Sequence, residues 1–238
     1  RRGEADVMLA GGSEAGITPL TMAALDATRA LSRRNDDPAA ASRPFDLTRD
    51  GFVAAEGAGV LVLEDLERAL ARGARPLCEL AGYATTADAY HLTDPEPSGR
   101  RQTAAVLEAL ADAGIAPEAL DYVNAHGTST PLGDQVEVRS LRAAVGDDVA
   151  QRVAVSSTKS MHGHAMGAAG GIEGALAALA IAEGAIPPTI NLDDLDPACA
   201  GVDHVARTAR RTPVNTAISS SFGFGGHNAV VAFRAVGA

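Results

Sequence analysis

Apolar residues recur along the chain with two different spacings, one typical of buried strands and the other of helices. Short apolar runs at 6–10, 58–63, 76–83, 122–125 and 153–156 predict strands. Helical spacing predicts helices at 17–31, 64–71, 101–113, 133–145 and 165–183. Helices that alternate with apolar strands in this way indicate an α/β layered fold, in which the helices cover a sheet.

The last part of the chain returns to strand spacing. Runs at 204–206, 215–220 and 229–235 predict strands that extend or close the sheet. Polar stretches rich in turn-forming residues predict loops at 35–50 and 85–99, and the first strand is expected to end at Gly11 and Gly12. No repeat of 20 to 50 residues is visible, so a solenoid or propeller is not expected.

Composition narrows the class of protein. A hydrophobic content of 46% over 238 residues is typical of a globular chain with a sizeable core. The net charge of -10 argues against nucleic acid and anionic membrane surfaces as main partners. Cys78 and Cys199 stand in unrelated contexts and predict neither a disulfide framework nor a zinc site. With no apolar run of 18 residues, no signal peptide and no lipidation motif, a cytoplasmic location is expected.

Three glycine-flanked polar motifs follow predicted strands. They read N-A-H-G-T-S-T at 124–130, V-S-S-T-K-S-M-H-G-H-A-M-G-A-A-G-G-I-E at 155–173, and S-S-S-F-G-F-G-G-H-N at 219–228. Because strand ends converge on one crevice in an α/β sheet, the three loops are expected to share a site. His126 and His164 would then face one pocket, although each alone could equally be a structural histidine. Lys159 is the only lysine, and an incidental surface lysine is the alternative to a functional amine.

Together these motifs resemble the β-ketoacyl synthase family, in particular the elongating enzymes of the 3-oxoacyl-[acyl-carrier-protein] synthase II group. The resemblance also rests on R-P-F-D-L-T-R-D-G-F-V at 43–53, D-A-Y-H-L-T at 88–93 and P-P-T-I-N-L-D at 187–193. It implies the thiolase fold, an αβαβα sandwich of two related halves. Residues 1–75 would be the end of the N-terminal half, and residues 76–238 the whole C-terminal half.

The resemblance implies an acyltransferase of fatty acid biosynthesis. Such an enzyme elongates acyl-[acyl-carrier-protein] by decarboxylative Claisen condensation with malonyl-[acyl-carrier-protein]. In the family two neutral histidines stabilise the enolate oxygen, and His126 and His164 match them. Lys159 matches a lysine that orients this site by pairing with a glutamate, matched here by Glu173. The backbone N–H of Phe224 matches half of an oxyanion hole, and its ring matches the gate to the acyl pocket.

Other positions match residues that bind the substrate. Thr128 and Thr130 match threonines that hydrogen-bond the phosphopantetheine arm, while Arg29 matches a carrier-protein contact or is simply a solvated helix end. Phe222 is expected beside the acyl pocket, and core packing beside a glycine turn is the alternative for both phenylalanines. The enzyme needs no cofactor beyond the phosphopantetheine that the carrier protein brings, and no metal is expected. A monovalent cation or a plain hydrogen-bond network remains open for three positions: Asn124, Glu173 and Ser219.

The family's nucleophilic cysteine has no match in the sequence. Cys78 and Cys199 are each expected to be inert, and the first methionine lies inside a predicted strand. The nucleophile is therefore expected upstream of Arg1, and this chain by itself is expected to be inactive. His162 and His227 stand where relatives commonly have threonine and receive no role.

Alternatives within the same fold remain. A chain-length-factor-like partner would bind and measure the acyl chain without catalysis, but retention of His126, His164 and Lys159 favours the enzyme. A polyketide ketosynthase would differ in substrate, and the end of the chain soon after its last predicted strand favours a stand-alone enzyme over a module. The resemblance further implies acyl carrier protein as partner and a homodimer of the full-length protein.

Overall fold

The computed structural model describes residues 3–237 as a layered α/β structure. Its strands within these residues are β1 (Val7–Glu14), β2 (Gly57–Glu64), β3 (Glu79–Ala87), β4 (Tyr122–Asn124), β5 (Ala154–Ser156), β6 (Ala185–Ile186), β7 (Asp203–His204), β8 (Arg210–Arg211), β9 (Thr216–Gly223) and β10 (His227–Arg234). Its helices are α1 (Pro19–Ala27), α2 (Leu66–Ala71), α3 (Arg100–Ala113), α4 (Pro131–Val145), α5 (Asp147–Ala150), α6 (Lys159–His162) and α7 (Met166–Glu183).

The central sheet has six strands in the order β3-β10-β9-β4-β5-β7. Strands β9, β4, β5 and β7 are parallel, whereas β10 runs antiparallel to both of its neighbours. The carboxyl ends of β9, β4 and β5 therefore lie side by side at one edge of the sheet. This order places the three motifs of the sequence next to one another.

Helices cover both faces of the central sheet. On one face α3 and α4 contribute Val106, Leu110 and Leu141 to a core that includes Val123 and Val155 of the sheet. On the other face α7 packs against β9 and β10, and its far side packs against the antiparallel pair β1–β2. The layers thus alternate as helix, sheet, helix, sheet, which confirms the predicted α/β layered architecture.

Glycines allow α7 to approach the β1–β2 pair closely. A methyl group on Gly12 would lie 2.0 Å from the carbonyl oxygen of Gly167, and one on Gly59 would lie 2.3 Å from the carbonyl carbon of Gly171. The prediction that β1 ends at Gly11 and Gly12 is therefore wrong. The strand continues to Glu14, because these glycines serve backbone contact and not a turn.

Other predicted boundaries also need correction. Helix α1 is much shorter than predicted, because Thr18 caps its start and Arg29, with φ 58°, follows its end. The strand predicted at 76–83 lies at Glu79–Ala87, where it pairs with β10 through a bulge. The predicted passage from β5 directly into α7 contains the extra helical turn α6, which ends at Gly163 with φ 71°.

Helix α7 is long and apolar enough to cross a membrane by length and composition alone. Half of it is buried inside the molecule, however, and it carries the fully buried charge of Glu173. Its apolar character follows from its position between two sheets, where both of its sides meet packed residues.

Candidate active site

The two histidines of the motifs lie against each other. The ring centroids of His126 and His164 are 5.3 Å apart, and the ring planes meet at 88°. Phe222 stands edge-on to His126 at 6.0 Å, and Phe52 stands edge-on to His164 at 5.5 Å. Two imidazoles between two phenylalanine rings form a largely apolar environment.

This environment keeps both imidazoles neutral. Burial lowers the pKa of His164 to about 3, and the nearby charge of Lys159 adds to that effect. The same two causes hold the pKa of His126 well below its ordinary value. Near neutral pH the pair therefore offers N–H donors without an acidic imidazolium proton.

The loop that carries His126 is held by carboxylates of α4. Glu137 accepts hydrogen bonds from the backbone nitrogens of His126, at 2.8 Å, and Gly127, at 2.7 Å. Asp134 accepts one from the backbone nitrogen of Ser129 at 3.1 Å. Burial raises the pKa of Glu137 to about 7 and that of Asp134 to about 6. The sequence motif alone did not reveal this role for the two acids.

A different segment fixes the backbone at His164. Its nitrogen donates to the carbonyl oxygen of Val53 at 2.7 Å, and its carbonyl oxygen accepts from Ala55 at 3.0 Å. The preceding Gly163 has φ 71°, and a methyl group there would lie 2.9 Å from the Cβ of Ala55. The 43–53 motif of the sequence therefore ends beside the candidate site, a contact that the motif alone did not reveal.

Lys159 and Glu173 form an ion pair inside the molecule. The ammonium of Lys159, at the start of α6, contacts Oε1 of Glu173 in α7. The two side chains are 1% and 0% exposed, so the alternative of an incidental surface lysine is wrong. Burial raises the pKa of Glu173, while the charge of Lys159 opposes that rise.

A cavity of about 310 Å³ opens beside the histidine pair. Six predicted site residues, drawn from all three motifs, line this cavity: His126, Thr128, Thr130, His164, Phe222 and Phe224. Lys159 and Glu173, which form the ion pair, do not line it. Arg29 does not line this cavity and lies exposed beyond the end of α1. The three loops after β4, β5 and β9 thus share one site, as their positions in the sheet require.

Two loops are joined at the rim of this cavity. The side-chain nitrogen of Asn228 lies 2.6 Å from Oδ1 of Asp88, and the backbone nitrogen of Asp88 donates to Gly226 at 2.8 Å. The backbone nitrogen of Gly225 donates to the carbonyl oxygen of Leu92, also at 2.8 Å. Phe224 is 45% exposed, so its ring stands in an open position at the rim. Its role as a gate remains a prediction.

The three positions predicted for a cation or a hydrogen-bond network lie close together. Asn124 pairs with Ser219 in the register of β4 and β9. Its amide nitrogen lies 3.5 Å from the carbonyl oxygen of Glu173, and its amide oxygen lies 3.4 Å from Oγ1 of Thr158. The contacts described for Asn124 are hydrogen bonds of a buried network.

Neither cysteine resembles an activated nucleophile. Burial raises the pKa of Cys78 to about 11 and that of Cys199 to about 12. A thiol with such a pKa is almost entirely protonated at neutral pH, and neither cysteine lines the cavity.

Two known protein families match parts of this chain. The family described as "Beta-ketoacyl synthase, C-terminal domain" matches residues 77–193, and "Beta-ketoacyl synthase, N-terminal domain" matches residues 1–69. The chain belongs to the β-ketoacyl synthase family. It is 54% identical over 98% of its length to "3-oxoacyl-[acyl-carrier-protein] synthase 2" of Synechocystis sp., and 48% identical over 98% to the protein of that name from Vibrio harveyi.

Solved structures of ketosynthases share the fold of this β-ketoacyl synthase chain. A type II PKS acyl-carrier protein in complex with its ketosynthase matches 99% of this chain and 57% of the solved chain, with a TM-score of 0.95 and 42% identity. A β-ketoacyl synthase from Burkholderia phymatum matches 98% of this chain and 55% of its own, with a TM-score of 0.91 and 40% identity. The thiolase-like fold is thereby confirmed. The chain spans 56% of the length of both curated relatives, that is, about half.

Proposed function

We propose that this chain supplies the enolate-stabilising and arm-binding part of a condensing enzyme. The enzyme elongates acyl-[acyl-carrier-protein] by decarboxylative condensation with malonyl-[acyl-carrier-protein] in fatty acid biosynthesis. The observation that carries the proposal is the pair of neutral imidazoles, 5.3 Å apart, in the wall of one cavity. Support also comes from the relatives named 3-oxoacyl-[acyl-carrier-protein] synthase 2, at 48–54% identity.

The proposed chemistry explains why both imidazoles are neutral. When the malonyl group loses carbon dioxide, the electron pair of the broken C–C bond becomes an enolate, whose oxygen carries the developing charge. N–H groups of His126 and His164 stabilise that oxygen beside the apolar rings of Phe52 and Phe222. A charged imidazolium would instead protonate the carbanion. The carbanion then attacks the acyl thioester, forms the new C–C bond and expels the enzyme's thiolate.

Other residues support these steps. The Lys159–Glu173 pair positions α6 against α7, and its ammonium helps to keep the imidazoles neutral. The hydroxyls of Thr128 and Thr130, 3.1 Å apart, bind the pantetheine arm. The backbone N–H of Phe224 forms half of the oxyanion hole, while its ring gates the acyl pocket beside Phe222.

The nucleophile of the proposed reaction lies outside residues 1–238. Both cysteines of this chain have raised pKa values, which keep their thiols protonated at neutral pH, and neither lines the cavity. We accordingly propose that residues 1–75 end an N-terminal half and that 76–238 form the C-terminal half. Acyl carrier protein as partner, contacted by Arg29, a homodimer and a cytoplasmic location belong to the same proposal.

A polyketide ketosynthase is the second candidate. It is favoured by the 42% identity to a solved complex described as a type II PKS acyl-carrier protein "in complex with its ketosynthase bound to the hexaketide". The higher identity to the fatty acid enzymes, 54% and 48%, supports the first candidate. A silent chain-measuring partner would have no use for a preserved pair of neutral imidazoles.

The test is malonyl-[acyl-carrier-protein] decarboxylation, together with condensation, by the native protein. His126→Ala and His164→Ala should each lower the rate by on the order of a hundredfold, because each removes one donor to the enolate. His91→Ala is the matched control, since His91 is exposed and does not line the cavity. Unchanged rates in both site variants would refute the proposal. Comparing saturated acyl and polyketide starter chains separates the two candidates.

A further inference from the structure

One polar side chain in the cavity wall has no part in the proposed chemistry. Gln102, in the first turn of α3, is 2% exposed and lines the same cavity as the histidine pair. Its Oε1 lies 3.1 Å from Oγ of Ser140 in α4. The amide nitrogen of Gln102 forms no hydrogen bond within residues 3–237.

Packing between α3 and α4 holds this side chain in place. The hydroxyl of Ser140 contacts the carbonyl oxygen of Val136 at 2.7 Å and that of Gly99 at 3.2 Å. A methyl group on Gly99 would lie 2.1 Å from the same hydroxyl, so the start of α3 is pressed against α4. The Gln102 amide therefore lies with one end beside Ser140 in the wall of the cavity. Its nitrogen has no partner among the described side chains and is available to donate to a ligand in that cavity.

The cavity lining defines the chemistry of that ligand. It contains no lysine or arginine among the described residues, and its one carboxylate, Asp88, is occupied by Asn228. A phosphate or carboxylate would find no cation here. The remaining polar groups include the hydroxyls of Thr128 and Thr130 and the NH₂ group of Gln102, which suit a neutral ligand with carbonyl oxygens.

We propose that Gln102 donates a hydrogen bond from its side-chain nitrogen to an amide carbonyl of the pantetheine arm. This inference rests on the proposed function and adds a third arm-binding side chain, from α3, to Thr128 and Thr130. The contact is made equally in the ground state and the transition state, because the arm does not react. Loss of Gln102 should therefore weaken substrate binding without slowing the chemical step.

The experiment compares thioesters of one saturated acyl group on three different arms. Pantetheine carries two amides, N-acetylcysteamine carries one, and ethanethiol carries none. In the native protein, Gln102→Met, which keeps the length of the side chain but removes the donor, should raise KM for the pantetheine thioester by about five- to tenfold. It should leave kcat unchanged and leave KM for the ethanethiol thioester unchanged. Gln151→Met is the matched control, because Gln151 is exposed and does not line the cavity.

Several results would overturn the inference. An equal rise in KM for all three arms would mean that Gln102 only maintains the shape of the cavity or binds the acyl group. No rise for any arm would mean that the amide has no ligand. If Gln102→Met fails to fold, Gln102→Leu, which also lacks a hydrogen-bond donor, is measured in its place.

The contact between Gln102 and the pantetheine arm can be tested even if the proposed function is wrong. If the wild-type protein turns over no thioester, calorimetric titration with free pantetheine still compares wild type with the variant. Weaker pantetheine binding by Gln102→Met supports the arm contact independently of any reaction. Equal binding by the two proteins, or none by either, contradicts it.

Discussion

Gly59 of β2 and Gly171 of α7 meet backbone to backbone. A methyl group on Gly171 would lie only 2.2 Å from the carbonyl oxygen of Gly59. No side-chain movement can relieve such a clash, because the methyl group and the carbonyl oxygen are each fixed to the backbone of a regular element. This contact therefore sets the distance between the β1–β2 pair and the helix that carries Glu173.

The first prediction follows from this contact. Gly171→Ala should lower the free energy of unfolding by about 1–3 kcal/mol, because the strand and the helix must separate to admit the methyl group. Gly170→Ala is the control: its methyl group would have only Ser221 Oγ nearby, at 3.9 Å. That variant should be neutral or up to about 1 kcal/mol more stable, since alanine favours helix. Urea unfolding of both variants checks the contrast, and equal stabilities would contradict it.

The second prediction concerns the buried ion pair. Lys159→Met should cost about 3–5 kcal/mol of unfolding free energy, because it leaves the carboxylate of Glu173 buried without its partner. The double variant Lys159→Met with Glu173→Met should lose less than the single one, since no lone charge remains. Urea unfolding in a double-mutant cycle measures the coupling.

An exposed ion pair supplies the comparison for that cycle. Side-chain atoms of Arg72 and Glu64 lie 2.6 Å apart, and the arginine side chain is 60% exposed, against 1% for Lys159. Arg72→Met should cost much less stability than Lys159→Met, because water screens the Arg72–Glu64 pair. Equal losses of stability in Lys159→Met and Arg72→Met would mean that burial does not determine what each ion pair contributes.

The third prediction concerns pH. The pKa of His164 is about 3 in the folded protein against an ordinary 6.5, so the unfolded chain binds a proton that the folded chain refuses. The stability due to neutral His164 is complete above about pH 6.5 and is lost as the pH falls toward about 3. Between pH 6 and 5 the wild-type protein should lose about 1 kcal/mol more than His164→Asn.

Urea unfolding of both proteins at these two pH values checks this difference. Glu137, whose raised pKa of about 7 acts in the opposite direction, is present in both proteins and cancels in the comparison. His126 is also present in both proteins, and the two main causes of its lowered pKa, burial and the charge of Lys159, remain in the variant. Parallel loss of stability in wild type and His164→Asn would mean that His164 protonates normally in the folded state.

The sequence predicted the central part of the fold well, for a physical reason. Strands β4 and β5 and helices α3, α4 and α7 have strong apolar spacing, because each buries a continuous face or, for α7, both sides. Their order along the chain then fixed which loops converge. The polar motifs after β4 and β5 could therefore be assigned to one pocket from the sequence alone.

The failures have equally specific causes. Glycine usually indicates a turn, yet Gly11 and Gly12 lie inside β1, where only contact with neighbouring backbone explains them. Helix α1 buries none of its residues, so its apolar spacing did not predict its length. The contacts of Glu137 and Gln102 depend on how α4 and α3 pack beside the cavity, and no local pattern encodes that distance.

The parallel pairing of β4 with β5 and β9 also has a kinetic consequence. The cavity takes its lining from residues as far apart in sequence as Phe52 and Asn228, so every part of it depends on long-range contacts. Such contacts form late and slowly, because the loops between them must be closed first. A partly folded chain in which β4 has not paired with β5 cannot hold the histidine pair in place. Recovery of the proposed pantetheine binding during refolding would therefore report the pairing of β4 with β5 and β9.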